Sequence, residues 1–158
     1  MKLGKKGEGY ILTAVLIIVF CMILSSLVTL VNAYNTVKLI KRNTVTVLNG
    51  YIMTNAVDIY DSIKQGNDSI NGLDGDEYVN RLRKFASLKL ASGNKLAKKD
   101  GTGKILYEIT RPQIGFITDQ RLKVQVSYTV YLPIYFGGMK IGTAEVPVKV
   151  NAALTEKY

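Results

Sequence analysis

Histidine is absent from the 158 residues, and cysteine occurs once, as Cys21. Those two gaps exclude Cys/His zinc sites, His-based catalytic triads and any intrachain disulfide. Proline is scarce and does not occur before Pro112, so nothing of that kind interrupts a helix in the first two thirds. Acidic residues are outnumbered, 12 against 21 Lys and Arg, for a net charge of +9. No nucleophile stands at an informative spacing from a base, and the one carboxylate cluster, Asp74, Asp76 and Glu77, reads as helix capping. The chain is therefore expected to be non-enzymatic, without metal or cofactor, and long enough for one ordinary domain plus an appendage.

The appendage is at the start. Ile11 to Val31 reads ILTAVLIIVFCMILSSLVTLV, 21 residues without a charge, of which 14 are Leu, Ile, Val or Phe. As a helix it covers about 30 Å, the thickness of a bilayer's hydrocarbon core. Each large apolar side chain favours insertion by roughly 0.3 to 0.6 kcal/mol. Tyr10 and Tyr34 flank the run where aromatic rings sit among headgroups. A cleaved secretory signal would explain Lys2, Lys5 and Lys6, with Val31-Asn32-Ala33 as cleavage site, but signal cores are about 7 to 15 residues. A core helix would need cover on all sides. The segment is read as a retained transmembrane helix, with Cys21 as an apolar filler.

Positive charge does not settle orientation, because Lys2, Lys5 and Lys6 precede the span while Lys38, Lys41 and Arg42 follow it. Length does. Residues 1–10 form a short basic tail expected to stay cytoplasmic, and a long C-terminal domain translocates largely regardless of charge, so the rest is expected outside the membrane.

Residues 32–66 continue as an amphipathic helix, with Val37, Ile40, Leu48, Tyr51, Ile52, Ile59 and Ile63 at three- and four-residue steps. The β-branched run Thr44 to Val47 and Gly50 lower helix propensity, so a bend is expected there, and Gly66-Asn67 is the stop signal. Residues 67–77, NDSINGLDGDE, fail the EF-hand pattern because Tyr78 falls where the closing Glu belongs. They read as a polar turn ending in an Asp cap at Asp74 or Asp76. A second helix is expected over 77–91 with Val79, Leu82, Phe85 and Ala86 on its apolar face.

SGNKLAKKDGTGK then reads as a Gly- and Lys-rich loop whose Lys95, Lys98, Lys99 and Lys104 are candidate contacts for an acidic ligand. No stacking platform accompanies them, so nucleic acid is not an expected partner. Gly101-Thr102-Gly103-Lys104 lacks the full phosphate-loop pattern.

The C-terminal third alternates with period two. Leu122, Val124, Val126, Tyr128, Val130, Leu132, Ile134 and Phe136 share one face, and Ala144, Val146, Val148, Val150, Ala152 and Leu154 share one face after Gly137-Gly138. These runs predict a hairpin, with Pro133 and Pro147 at non-bonded or edge positions. Ile105 to Arg111 predicts a further strand, and Pro112 to Arg121 a connection. The expected fold class is α+β: a long N-terminal transmembrane helix extending into an outer domain (67–158) with a short helix and an antiparallel sheet of three or more strands.

With Lys5-Lys6-Gly7-Glu8-Gly9-Tyr10 opening the span and VQVSYTVYLPIYF (124–136) followed by a second strand, this plan resembles that of pilins, and within them the TadE-like minor pseudopilins of the Tad, or Flp, pilus system. The resemblance implies a pilin-like outer domain and a structural role in a pilus or secretion apparatus. Its partners would be the membrane, other pilins or assembly-platform proteins, and further copies of the chain. It also implies processing at Gly7 or Gly9. The fifth mature residue, commonly Glu in pilins, would then be Leu12 or Ala14. Ala14, Ser25, Ser26 and Thr29 are the candidates for close packing against neighbouring membrane helices. The alternative is a membrane-tethered module that recognises a cell-wall or acidic ligand through the lysine-rich loop.

Overall fold

A computed structural model describes residues 5–57, 74–119, 121–136 and 139–153. The elements are helix α1 (Lys5–Thr54), helix α2 (Gly75–Phe85) and strands β1 (Lys89–Ala91), β2 (Lys95–Lys99), β3 (Ile105–Thr110), β4 (Gln113–Asp119), β5 (Arg121–Phe136) and β6 (Met139–Ala153). The chain divides into two units, Met1–Thr36 and Val37–Tyr158. Among the described residues the α+β class with one long apolar helix, one short helix and an antiparallel sheet is present, and the sheet has six strands.

In the first unit the helix begins at Lys5, so part of the basic tail is already helical. Nothing in the unit covers the apolar run. Leu12 is 70% exposed, Phe20 58% and Leu30 67%. Three hydroxyls of the run turn back onto the helix: Thr13 donates to Gly9 O, Ser26 to Met22 O and Thr29 to Ser25 O, at 2.9 to 3.0 Å. Those three are thereby satisfied without an external partner.

In the second unit, α1 from Val37 onward buries Ile40, Thr44, Val47, Leu48, Tyr51 and Ile52, a stripe with three- and four-residue steps. Helix continues through Thr44–Val47 and Gly50 without a break, because burial of Thr44, Val47 and Leu48 outweighs the weak local propensity. Ile59, Ile63 and the Gly66-Asn67 stop lie outside the described residues, as does most of the polar turn.

β5 is the spine of the sheet. Its inward residues Val124, Val126, Tyr128, Val130 and Leu132 are all buried. One edge pairs with β6 along the whole strand. The other pairs with β4 over Arg121–Ser127 and with β3 at Val130 and Tyr131. Pairing sums of 239 for Ile109↔Val130 and 240 for Gln113↔Ser127 mean that one residue is inserted between β3 and β4. They are two halves of one bulged strand, broken at Arg111-Pro112. Thr110 Oγ1 fills the interrupted ladder by accepting from Thr129 N at 2.9 Å.

That bond also explains both strand prolines. Thr129 aims its N–H away from β6, and residues of the same parity do likewise. Pro133 therefore presents its missing donor to the β3 side, and the β3–β5 pairing ends at Tyr131. Opposite Thr129, Pro147 turns its missing donor to the outer edge of β6. The expected hairpin is present, while its Gly137-Gly138 turn lies outside the described residues.

Three expectations need correction. The second helix ends at Phe85 rather than 91, because Ser87 adopts a left-handed φ of 53° and the turn closes with Ser87 N to Lys84 O and Leu88 N to Arg83 O. Phe85 is consequently exposed and Tyr78 joins Val79 and Leu82 on the buried face. The lysine-rich loop is the hairpin β1–β2 plus a turn: Gly93 and Asn94 take positive φ between the strands, and Leu96 and Ala97 are buried. Residues 112–121 hold β4, whose Ile114 and Phe116 already alternate with Gln113, Gly115 and Ile117.

Asp74 caps α2, accepting from Asp76 N at 2.8 Å, with Asp76 and Glu77 in the first turn and Arg83 and Lys84 in the last, as the helix dipole favours. Polar contacts tie the layers. Thr44 Oγ1 and Tyr128 Oη are 2.6 Å apart, and Tyr51 Oη donates to Asp74 O at 2.8 Å. Desolvation pushes Tyr51 up to about 12 and Tyr128 to about 12, and also raises Tyr78 and Tyr107. In the unfolded chain these phenols ionise near 10. Their contribution is therefore complete below pH 10 and is lost as pH rises toward 12, where unfolding releases protons that the fold retains. The denaturant midpoint followed by circular dichroism should stay level from pH 8 to 9.5 and fall steeply above pH 10; a level profile through pH 11.5 would contradict this account.

Candidate functional site

Two surfaces merit a functional reading, one in each unit. The first is the apolar helix. The window of highest hydropathy, within Gly9–Thr54, averages 2.9 and is 0% buried, which makes it a candidate membrane span by length and composition. Tyr10 and Tyr34 are both exposed at its ends. At about 100° per residue, Ala14, Ser25 and Thr29 fall in one stripe roughly 60° wide, whereas Ser26 lies about 120° from Ala14. Three of the four expected packing residues thus share a face. Gly7 and Gly9 both lie within α1, two residues apart.

The second is the outward face of the sheet. Odd-numbered residues of β5 point away from the helices, and Tyr131, Pro133 and Tyr135 line a half-open groove of about 470 Å³. Pro133 opens it by ending the β3–β5 ladder, which leaves Ile105 and Lys104 standing off from β5. Lys95 Nζ sits 3.9 Å from the centroid of the Tyr131 ring and Lys104 Nζ 3.5 Å from that of Tyr135. Such contacts are worth roughly 0.5 to 1 kcal/mol at exposed sites. Glu108 and Glu145 are paired across Tyr131 from opposite sides. The groove therefore presents aromatic faces and both signs of charge.

The four expected ligand-contact lysines do not converge. Lys95 and Lys104 share the groove. Lys98 turns to the helix side and donates to Ala86 O at 2.9 Å, satisfying the last carbonyls of α2. Lys99 is exposed at the end of β2. Gly101-Thr102-Gly103-Lys104 is a tight turn around Asp100, whose carboxylate accepts from Thr102 Oγ1, Thr102 N and Lys104 N at 2.7 to 2.9 Å. The Thr102 hydroxyl bond is the largest influence on the Asp100 pKa and, with the backbone bonds and the Lys104 charge, lowers it against an opposing desolvation.

Tyr131, Tyr135, Glu108 and Glu145 escaped the sequence reading. Their only signal was their place on the polar phase of strands β3, β5 and β6. Among the described residues no three His, Cys, Asp or Glu side chains gather as a metal site. The chain matches no protein-family model, no curated protein and no solved structure.

A charge at the middle of the apolar helix measures what surrounds it. If the apolar run spans a bilayer, Ile18→Lys should cost about 3 kcal/mol of insertion and shift the protein from the carbonate-resistant membrane fraction to the soluble or aggregated one. Unchanged retention would show that this segment is not what holds the chain in the membrane.

Proposed function

We propose that the chain is a structural, pseudopilin-like component of a Tad/Flp-type pilus or secretion apparatus, anchored by one transmembrane helix and acting through subunit assembly. One observation carries the reading: α1 spends its first half as an uncovered apolar surface, while from Ile40 onward it is the cover of an antiparallel sheet. An apolar helix without intramolecular cover requires lipid or other helices around it. Ala14, Ser25 and Thr29, small and in one stripe, let a neighbouring helix approach closely. The N-terminus is assigned to the cytoplasm and the sheet domain to the outside.

A photo-crosslinking residue at Ile18, on the face of Ala14, Ser25 and Thr29, in native membranes, should give adducts with other single-span subunits or assembly-platform proteins. Intact mass of the same material should start at Glu8 or Tyr10 if Gly7 or Gly9 is processed, or at Met1 for a resident component. Only monomer in mild detergent, without adducts, would count against assembly, and a start at Tyr34 would remove the anchor altogether.

The tyrosine groove favours a second reading, a tethered module for an acidic wall ligand. Lys95 and Lys104 stand where an anion could displace them from the rings. Lys95→Ala plus Lys104→Ala should then abolish salt-sensitive binding to purified anionic wall polymer, whereas Lys98→Ala plus Lys99→Ala should leave most of it. Equal effects of the two pairs would dismiss the groove.

A further inference from the structure

One end of the second unit gathers exposed lysines with large exposed apolar side chains, and that combination points to a second contact with the membrane. Tyr51 reaches Asp74 O and Arg81 reaches Thr54, so α2 begins beside the end of α1. Ala86 and Leu88, just past the other end of α2, line a small cavity with Ile40 and Asn43. The two helices are antiparallel. Asp74, Asp76 and Glu77 therefore mark the end at Thr54, and the turn after α2 marks the end at Val37.

Contacts carry that second end across the sheet. Lys98 bonds Ala86 O, Lys99 pairs with Ile105, Lys104 lies on the Tyr135 ring, and Tyr135 and Phe136 pair with Lys140 and Met139. On it stand four exposed apolar side chains: Phe85 at 56%, Leu106 at 47%, Met139 at 73% and Ile141 at 65%. Interleaved with them are the exposed Lys84, Lys99, Lys104 and Lys140, and α1 adds the exposed Lys38, Lys41 and Arg42. The one carboxylate in this set, Asp100, is held by its own turn. Glu108 and Glu145 lie at Tyr131 and share the groove with Lys104 and Lys140, so basic groups are in excess here without being alone. Large apolar side chains among an excess of lysines are the composition of a surface that sits in a headgroup layer.

We propose that this end of the domain docks on anionic phospholipid headgroups, with Phe85, Leu106, Met139 and Ile141 entering the interface and the lysines meeting phosphates. The inference rests on the membrane-anchored reading. Val37, the first residue of the unit, is six residues from Val31, so the unit is joined to the apolar run by a chain of at most about 22 Å. Charge complementarity selects the occupant. A neutral or cationic surface would leave seven basic groups facing no counter-charge, whereas each lysine near an anionic leaflet gains about 1 kcal/mol, or about fivefold in the docked population.

The test uses the full chain in vesicles of phosphatidylcholine alone or with one quarter phosphatidylglycerol, carrying spin-labelled lipid as quencher. A fluorophore on native Cys21 reports the span, and loss of its quenching would overturn the anchored reading itself. In a Cys21→Ser background, a fluorophore at Met139→Cys should be quenched in the anionic vesicles, much less in the neutral ones, and less again at high salt, where the screening length shrinks to about 3 Å. Lys149→Cys, exposed on the far part of β6, is the control. Lys84→Glu plus Lys99→Glu should lower the Met139→Cys signal to that in neutral vesicles, with circular dichroism unchanged. Quenching at Met139→Cys no greater than at Lys149→Cys, while Cys21 remains quenched, would overturn docking and keep the anchor. Quenching that is equal in both lipids would assign the contact to apolar side chains alone and overturn the anionic assignment. Protection of Met139→Cys only on adding anionic wall polymer would give the surface to a different ligand.

Discussion

The inner face of β5 has to be covered, and the rest of the domain follows from how that is done. Five consecutive inward positions, Val124 to Leu132, are buried. A sheet with one apolar face is unstable until a second layer removes that face from water. The layer is supplied by the Ile40–Ile52 stripe of α1 with Tyr78, Val79 and Leu82 of α2. The Thr44–Tyr128 hydroxyl bond fixes the register between layers, because each hydroxyl would otherwise be buried without a partner on that side. Thr44 also returns a bond to Ile40 O, so both capacities of its oxygen are used inside the core.

The same helix obeys the opposite rule in its first half. From Gly9 to Leu30 it is apolar around its whole circumference and exposed, with the hydroxyls of Thr13, Ser26 and Thr29 internally bonded. A helix that is apolar all round belongs in an apolar surrounding. One continuous element thus carries two sequence patterns, and the change from all-round to one-sided apolarity falls between Val31 and Val37. That change of pattern coincides with the division of the chain at Thr36 and Val37.

Much of this was legible because the signals were long. Twenty-one uncharged residues and two alternating runs of more than ten left little room for other elements, and the stripe through Ile40, Leu48, Tyr51 and Ile52 needed only the helical period. What escaped were short elements masked by composition. β2 is KLAKK, whose lysines suggested a solvated loop although Leu96 and Ala97 are buried. β4 follows a proline, which suggested a connection, yet Pro112 marks a bulge that interrupts one strand instead of ending it. The helix stop at Ser87 was invisible for a different reason. A left-handed residue is ordinarily Gly or Asn, and here the bonds to Arg83 and Lys84 hold a serine there. The groove residues Tyr131 and Tyr135 were read as the polar phase of a strand, and only the register that brings Lys95 and Lys104 over their rings gives them a site.

Where chemistry is available in this chain also follows from the packing. The interior phenols are raised by burial and stay protonated through the neutral range, so they act there as hydrogen-bonding and packing groups. The ionised groups are on the surface: Asp76 and Glu77 pair with Arg111 and Arg81 where α2 begins, and exposed lysines gather where it finishes. Sorted charge has little to do with holding the fold, since exposed ion pairs such as Arg81–Glu77 contribute at most about 1 kcal/mol. It does orient a body in an external field, because the lysine-rich end is drawn to an anionic surface more strongly than the end where acids pair with arginines. On the proposed reading, a domain tethered by a few residues to a membrane needs such an orienting term if it is to present the same outward face of its sheet to a neighbouring subunit, and the distribution of lysine along α1, α2 and the strand turns would supply it.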